Sequence, residues 1–272
     1  MQQTLSFIGG GNMARSLIGG LIARGADTSR ITVADPVPAA LESLHRQFGV
    51  RVTTNNDEAV RDAEVVVLAV KPQEMRTVAT GLGTIVAASR PLLVSVAAGI
   101  RASDIQRWCS GLPVIRCMPN RPALQGCGMT GLYATANVSA QQRKIAFDLM
   151  SAVGAAVWLE QETQLDAVTA VSGSGPAYFF LLIEMLEQTG MALGLPAEVS
   201  RQLAVETAYG AGRMARESAE SATVLREQVT SKGGTTAAAL QTLEDRNVRA
   251  IFAEAIAAAA RRSAQLADEF GA

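Results

Sequence analysis

Across residues 4–138 the chain switches repeatedly between two hydrophobic periods, and that alternation constrains its fold more than any other feature. Short, nearly continuous apolar runs occur at Leu5-Ser6-Phe7-Ile8, Ile31-Thr32-Val33-Ala34, 64–70, 91–97 and 113–117, with helical stretches between them. Runs of this length, rich in β-branched residues and apolar on both faces, are strands covered on both sides, as in a parallel sheet between two helix layers. From about Asp166 the pattern changes: Gly and Pro thin out, Ala, Glu, Gln, Arg and Leu dominate, and apolar residues recur at spacings of three and four. That spacing predicts helices over 174–192, 197–215, 221–229, 236–243 and 248–267, with Pro196 where a proline opens a helix. A length of 272 residues suits two ordinary domains. The expectation is an α/β chain: a mostly parallel sheet domain over 1–162, then an all-helical domain over 163–272.

Composition narrows the possible partners. Charged residues make up 18% of the chain, the net charge is −1 and both signs are interspersed. With no Lys/Arg block to follow a phosphate backbone or an anionic bilayer, neither nucleic acid nor a membrane is expected. Met1-Gln2-Gln3-Thr4 runs straight into the first strand without a basic and then apolar leader, so a cytoplasmic location is expected. Cys109, Cys117 and Cys127 are odd in number and lack CxxC spacing, and the single His45 shares a helical stretch with Leu41, Leu44 and Phe48. All four read as structural or incidental residues, and no metal site is expected.

The first strand ends in Gly9-Gly10-Gly11-Asn12-Met13-Ala14 and gives way to a helix through Leu17, Ile18, Leu21 and Ile22. This is the strand-turn-helix setting of a GxGxxA fingerprint: Gly9 for the tight turn, Gly11 for close approach to a pyrophosphate, and Ala14 for helix against strand. A plain tight turn would also explain the glycines. The second strand, ending at Asp35 about twenty residues on, favours dinucleotide binding, because a carboxylate there can take the adenosine ribose hydroxyls. Asp35 would repel a ribose 2′-phosphate and so leans towards NADH, although the Pro36-Val37-Pro38 loop could turn it away; a turn residue before proline is the plainer reading. Lys71, in Ala69-Val70-Lys71-Pro72 at a strand end, is placed to meet an anion or simply to be solvated. The small residues Ser95-Val96-Ala97-Ala98-Gly99 leave room for a flat ring.

Five blocks, in register, make the likeness specific: Phe7-Ile8-Gly9-Gly10-Gly11-Asn12-Met13-Ala14, Val70-Lys71-Pro72-Gln73, Arg116-Cys117-Met118-Pro119-Asn120, Ser172-Gly173-Ser174-Gly175-Pro176-Ala177-Tyr178 and Gly233-Gly234-Thr235-Thr236. The chain resembles the pyrroline-5-carboxylate reductases over essentially its whole length. The resemblance implies a Rossmann-type dinucleotide-binding domain, an all-α C-terminal dimerisation domain, and hydride transfer from NADPH or NADH to the C=N bond of a small imino acid, giving L-proline. It assigns the cofactor groove to Gly9, Gly10, Gly11, Asn12, Met13, Ala14, Asn56, Ala69, Val70, Lys71, Pro72, Ala97, Ala98 and Asn120, with Asn120 beside the nicotinamide. The substrate carboxylate falls to Ser231, Gly233, Gly234 and Thr235, and Thr236 is the catalytic candidate, its hydroxyl near the ring nitrogen. Glycines and hydroxyl residues at a helix start also suit an anion without a basic side chain; a capped helix start accounts for the same residues. Arg121 and Lys232 depart from the family's usual Thr and Pro and leave the exact substrate open.

A protonated imine is already a good hydride acceptor, so alignment can do most of the work. The chain shows no paired carboxylates at catalytic spacing and no Ser-His-Asp set. Two rivals remain: a 3-hydroxyacid dehydrogenase or other imine reductase, disfavoured because residues 176–186 contain no Lys, and a sensor that binds the dinucleotide without turnover. The apolar, Ala-rich helices exceed what one small domain can bury, and the resemblance implies a homodimer through the helical domain, assembling further into a particle such as a decamer.

Overall fold

The computed structural model describes residues 2–271. Its strands are β1 (Leu5–Ile8), β2 (Ile31–Ala34), β3 (Arg51–Thr53), β4 (Val65–Leu68), β5 (Leu92–Ser95), β6 (Val114–Met118), β7 (Gly128–Ala134) and β8 (Gly154–Trp158). Its α-helices are α1 (Asn12–Ala23), α2 (Pro38–Phe48), α3 (Asn56–Val60), α4 (Pro72–Ser89), α5 (Ala102–Trp108), α6 (Ala140–Ser151), α7 (Gln164–Val168), α8 (Gly175–Ala192), α9 (Ala197–Glu217), α10 (Ala222–Gln228), α11 (Thr235–Asp245) and α12 (Val248–Gly271).

The strands form one sheet in the order β3-β2-β1-β4-β5-β6-β7-β8. Neighbours are parallel except β6 and β7. β1 is central, with Leu5 opposite both Ile31 of β2 and Val65 of β4. The chain builds outward from β1 to β3, then crosses back to place β4 on the other side. The order therefore reverses between β1 and β4, and crevices at the carboxyl ends of such strands hold ligands. Alternate residues of each strand feed two separate cores. Leu5, Phe7, Val33, Val65 and Val67 pack with α1, α2 and α6, whereas Ile8, Ala34, Val66, Leu68 and Val114 pack with α4 and α5. Burying a side chain such as Phe7, which has no exposed surface, contributes about 1.5–3 kcal/mol.

Three strands depart from the expected five. β3 is a short, partly exposed edge; β7 carries two glycines; β8 is mostly small residues with alternating exposure. None presents the doubly buried β-branched run that marks the other five.

Two compact units emerge. One holds residues up to Ser174 together with those from Ala259 onward, and the other is Gly175–Ala258. The expected division after residue 162 falls earlier than this boundary. In the first unit the end of α12 is anchored by Ser263 Oγ, which donates to Asp166 Oδ1 at 2.7 Å, and Gly99 packs on Leu266 and Phe270. In the second unit α8 and α9 pack closely: Ser200 Oγ donates to the Glu187 carbonyl at 2.6 Å, and a Cβ on Gly190 would meet that hydroxyl at 2.2 Å. Tyr178 and Phe252 meet edge to face at 6.3 Å. Beyond these contacts the second unit has almost no interior, since Phe179 and Phe180 are 65% and 63% exposed and Leu181, Leu193, Tyr209 and Ile251 also face outward.

Candidate active site

The turn after β1 is built around Gly9. Its φ is +100°, its N–H donates to the Ala34 carbonyl at 2.8 Å, and a Cβ there would lie 2.7 Å from the Ala69 carbonyl oxygen. Only glycine fits between the ends of β2 and β4. Gly11 is different. It precedes α1 at an ordinary φ of −70°, and a Cβ would meet no protein atom within 4 Å. Packing does not require a glycine there, and the open space lies before the first, side-chain-uncapped turn of α1, where N–H groups can meet an anion. Ala14 is fully buried, as close packing of α1 on the sheet demands. Asn12 and Met13 form the first turn of α1.

Asp35 follows β2 and turns back towards the glycine loop. Its Oδ2 accepts the Gly10 N–H at 2.7 Å, and its Oδ1 accepts the Val37 N–H at 2.9 Å. The second bond is a local turn of the kind that Asp makes before proline; the first ties β2 to the phosphate-type loop. A groove of about 390 Å³ opens beside this loop, lined by Gly9, Pro36, Asn56 and Val70 among others. Thr54, Gln73, Glu74 and Thr77 also line it. Sequence reasoning did not assign these four to the groove, although position gives a signal: Thr54 follows β3, and Gln73 belongs to a motif block.

Lys71 is exposed and stands at the N-terminus of α4, with Pro72 opening the helix. Ala69, half-buried, lies against Gly9. After β5, Ala97 is buried and Ala98 half-buried, with the Ala97 N–H donating to Ser95 Oγ.

Asn120 is fixed on both sides of its amide. Its Nδ2 donates to the Ser172 carbonyl at 3.1 Å and to Ser172 Oγ at 3.2 Å, and its Oδ1 accepts the Met129 N–H at 2.9 Å. Ser172 lies in a π-helical turn, Thr169–Gly173, between α7 and α8, a local widening frequent at functional sites. Gly173 packs there against Met118, where a Cβ would come within 2.6 Å of the Met118 methyl. In β6, Arg116 is 5% exposed and donates to Glu162 Oε1 at 2.8 Å; the same oxygen accepts the Ala102 N–H at 2.7 Å. The sequence gives no sign of this pairing.

In the second unit, Ser231, Gly233, Gly234, Thr235 and Thr236 form a tight turn leading into α11. Gly233 takes a φ of +70°, and the Gly234 N–H donates to the Ser231 carbonyl at 3.1 Å. A Cβ on Gly234 would come 2.3 Å from Ser231 Oγ. No side chain caps α11, and its first turn carries no acidic residue, so the N–H groups of Thr235, Thr236 and Ala237 lack a side-chain acceptor. Thr236 is half-buried. Lys232 is exposed in the turn, and Arg121, also exposed, directly follows Asn120.

Among the described residues no group of three or more His, Cys, Asp or Glu side chains could hold a metal ion. Cys109 and Cys117 are buried, and burial pushes the Cys109 thiol up to about 11 and the Cys117 thiol higher still, so neither is a ready nucleophile.

Residues 162–266 match the family model for pyrroline-5-carboxylate reductase dimerisation, and residues 4–99 match the model for NADP oxidoreductase, coenzyme F420-dependent. The chain is 47% identical over 268 residues to a pyrroline-5-carboxylate reductase of Pseudomonas aeruginosa, with 98% of each chain covered. It is 40% identical to the structure of a pyrroline-5-carboxylate reductase from Coxiella burnetii, with a TM-score of 0.94 and 98% and 99% of the two chains covered. The Plasmodium falciparum enzyme with NADP bound is 26% identical, with a TM-score of 0.85 and 98% of each chain covered. One described stretch, Gln164–Ala192, is long and apolar enough to cross a membrane. It lies wholly inside the matched dimerisation segment, and by that match the protein is a homo-oligomer. By the extent and identity of these matches, the chain belongs to the pyrroline-5-carboxylate reductase family.

Proposed function

We propose that the residues around Gly9 to Ala14 and those of Ser231 to Thr236 divide the work of an NAD(P)H-dependent imine reductase that converts L-1-pyrroline-5-carboxylate to L-proline. The observation that carries the cofactor half is the contrast between Gly9, which the fold requires, and Gly11, which only a ligand requires. The open turn before α1 fits a pyrophosphate; the groove at Asn56 and Val70 fits the adenosine; Ala69, Lys71, Pro72, Ala97, Ala98 and Asn120 line the remainder. When bound, the cofactor supplies the hydride for the imine carbon.

The remaining chemistry belongs to the chain's own residues. Asn120, locked by Ser172 and Met129, presents a fixed amide rather than a mobile one. The uncapped first turn of α11 holds the imino acid's carboxylate through the N–H groups of Thr235 and Thr236, Gly234 having spent its own on Ser231. Thr236 then places its hydroxyl at the ring nitrogen, holding the proton that makes the imine a good acceptor. Fixed orientation and exclusion of water supply the rest of the rate.

The substrate-binding and dimerisation functions are assigned to residues 163–272 and dinucleotide binding to 1–162. The exposed faces of α8, α9 and α12 suit a homodimer with further assembly to a decamer. The cytoplasm is assigned as the place where this reductase works. The test is loss of reduced-nicotinamide absorbance on adding DL-pyrroline-5-carboxylate, with NADH and NADPH in parallel and proline measured as product. Imine-dependent oxidation with stoichiometric proline is expected; binding of the dinucleotide without oxidation would refute the reading.

A further inference from the structure

We propose that Asp35 makes this protein selective for NADH over NADPH, which rests on the reductase reading above and sharpens its cofactor. The sequence left open whether the Pro36-Val37-Pro38 loop turns Asp35 away. It does not: the carboxylate points at the glycine loop, held at 2.7 Å from the Gly10 nitrogen and 2.9 Å from the Val37 nitrogen. Two backbone bonds fix its position at the end of β2, where the adenosine ribose of a dinucleotide lies. Each carboxylate oxygen has a second lone pair, so both remain able to accept from ribose hydroxyls.

A 2′-phosphate at the same place would set a second anion beside this one. Relief would need a cation, and the groove wall offers none: among the residues lining it, Glu74 is the one charged side chain, and it is acidic. Lys71 is no substitute. It follows β4, two strands from β2 in the sheet order, a lateral distance of about 10 Å at ordinary strand spacing. Arg15 is engaged with Gln47 and Ser43. Like charge without a counter-ion, in a partly enclosed site, costs about tenfold or more in affinity.

Asp35 also braces Gly10, so specificity and loop geometry share one side chain. Asp35→Asn removes the charge and keeps one oxygen to accept an N–H. Pro36→Arg instead adds a cation to the groove wall and leaves the carboxylate in place.

The experiment is equilibrium titration of the purified full chain with NADH and with NADPH, read by nicotinamide fluorescence without any imine, alongside turnover with DL-pyrroline-5-carboxylate. Wild type should bind NADH at least about tenfold more tightly than NADPH. D35N and P36R should each narrow that ratio, D35N by about tenfold. Equal or tighter binding of NADPH by wild type would overturn the proposal, as would a ratio unchanged in both variants. NADH-selective binding without imine turnover would support Asp35's role while refuting the substrate, and binding of neither dinucleotide would overturn both.

Discussion

Replacing Gly9 and Gly11 by alanine, one at a time, separates what the fold needs from what the ligand needs. At Gly9, alanine must adopt a φ of +100° and carry a Cβ 2.7 Å from the Ala69 carbonyl oxygen and 2.8 Å from its carbon. The backbone conformation costs about 1–3 kcal/mol, and forcing the loop away from β4 adds about 1–3 kcal/mol, as overpacking does. The loop cannot simply slide, because the Gly9 N–H is bonded to Ala34 and the Gly10 N–H to Asp35. A loss near 4 kcal/mol, at about 2–4 °C per kcal/mol for a chain of this size, lowers Tm by about 8–16 °C. Gly11→Ala places its Cβ in empty space at φ −70°, so Tm should stay level or rise slightly through reduced freedom of the unfolded chain. Its dinucleotide affinity should nonetheless fall by about tenfold or more, since the new methyl occupies the space before α1. Thermal unfolding at one fixed protomer concentration, which an oligomer requires, together with fluorescence titration of NADH, reads both effects. A Gly9→Ala protein melting with wild type, or a Gly11→Ala protein destabilised as deeply as Gly9→Ala, would refute the reasoning.

Further outcomes follow from the same contacts. Thr236→Ala should cut imine reduction by about a hundredfold while NADH still binds; full turnover in that variant would remove Thr236 from the mechanism. Glu162→Ala strands the buried Arg116 guanidinium and the Ala102 N–H, and should lower stability by about 3 kcal/mol in thermal melts, with no change at all as the contrary result. Phe180→Glu puts a charge on an exposed apolar face and should shift the particle to lower mass in light scattering; an unchanged mass would take α8 out of the interface. Because burial raises the Cys109 thiol to about 11 and Cys117 further, both stay protonated at pH 8 and unreactive. Maleimide should therefore label one site in the native protein, the exposed Cys127, and three after denaturation; labelling of all three before unfolding would contradict this.

The fold was legible where burial and sequence agree. β1, β2, β4, β5 and β6 are buried on both faces and mostly apolar, and each announces itself locally. β7 and β8 do not, because Gly128 and Gly154 are demanded by close backbone contact and Gly131 by the Val168 side chain against it, which no local pattern encodes; a Cβ on Gly154 would overlap the backbone of Gly128 at 2.0 Å. The glycine loop was legible as a motif, but the bond from Gly10 to Asp35 depends on how the Pro36-Val37 turn directs a side chain. Likewise the Arg116 and Glu162 pair joins residues 46 positions apart, and the π-helical turn holding Ser172 meets Met118 and Asn120, residues distant from it in the chain. The helical unit was legible in a different way: more apolar surface than one chain can hide.

That surplus has a consequence for inheritance. In a homo-oligomer every copy carries the same residue, so with the proposed pairing through α8 and α12 one codon change on those faces alters the assembly at each symmetric contact simultaneously. In the proposed homodimer, residues such as Phe179 and Leu181, which would be free to drift on a monomer's surface, answer to their own duplicates, and the helical unit changes only by substitutions its twin tolerates in the same generation.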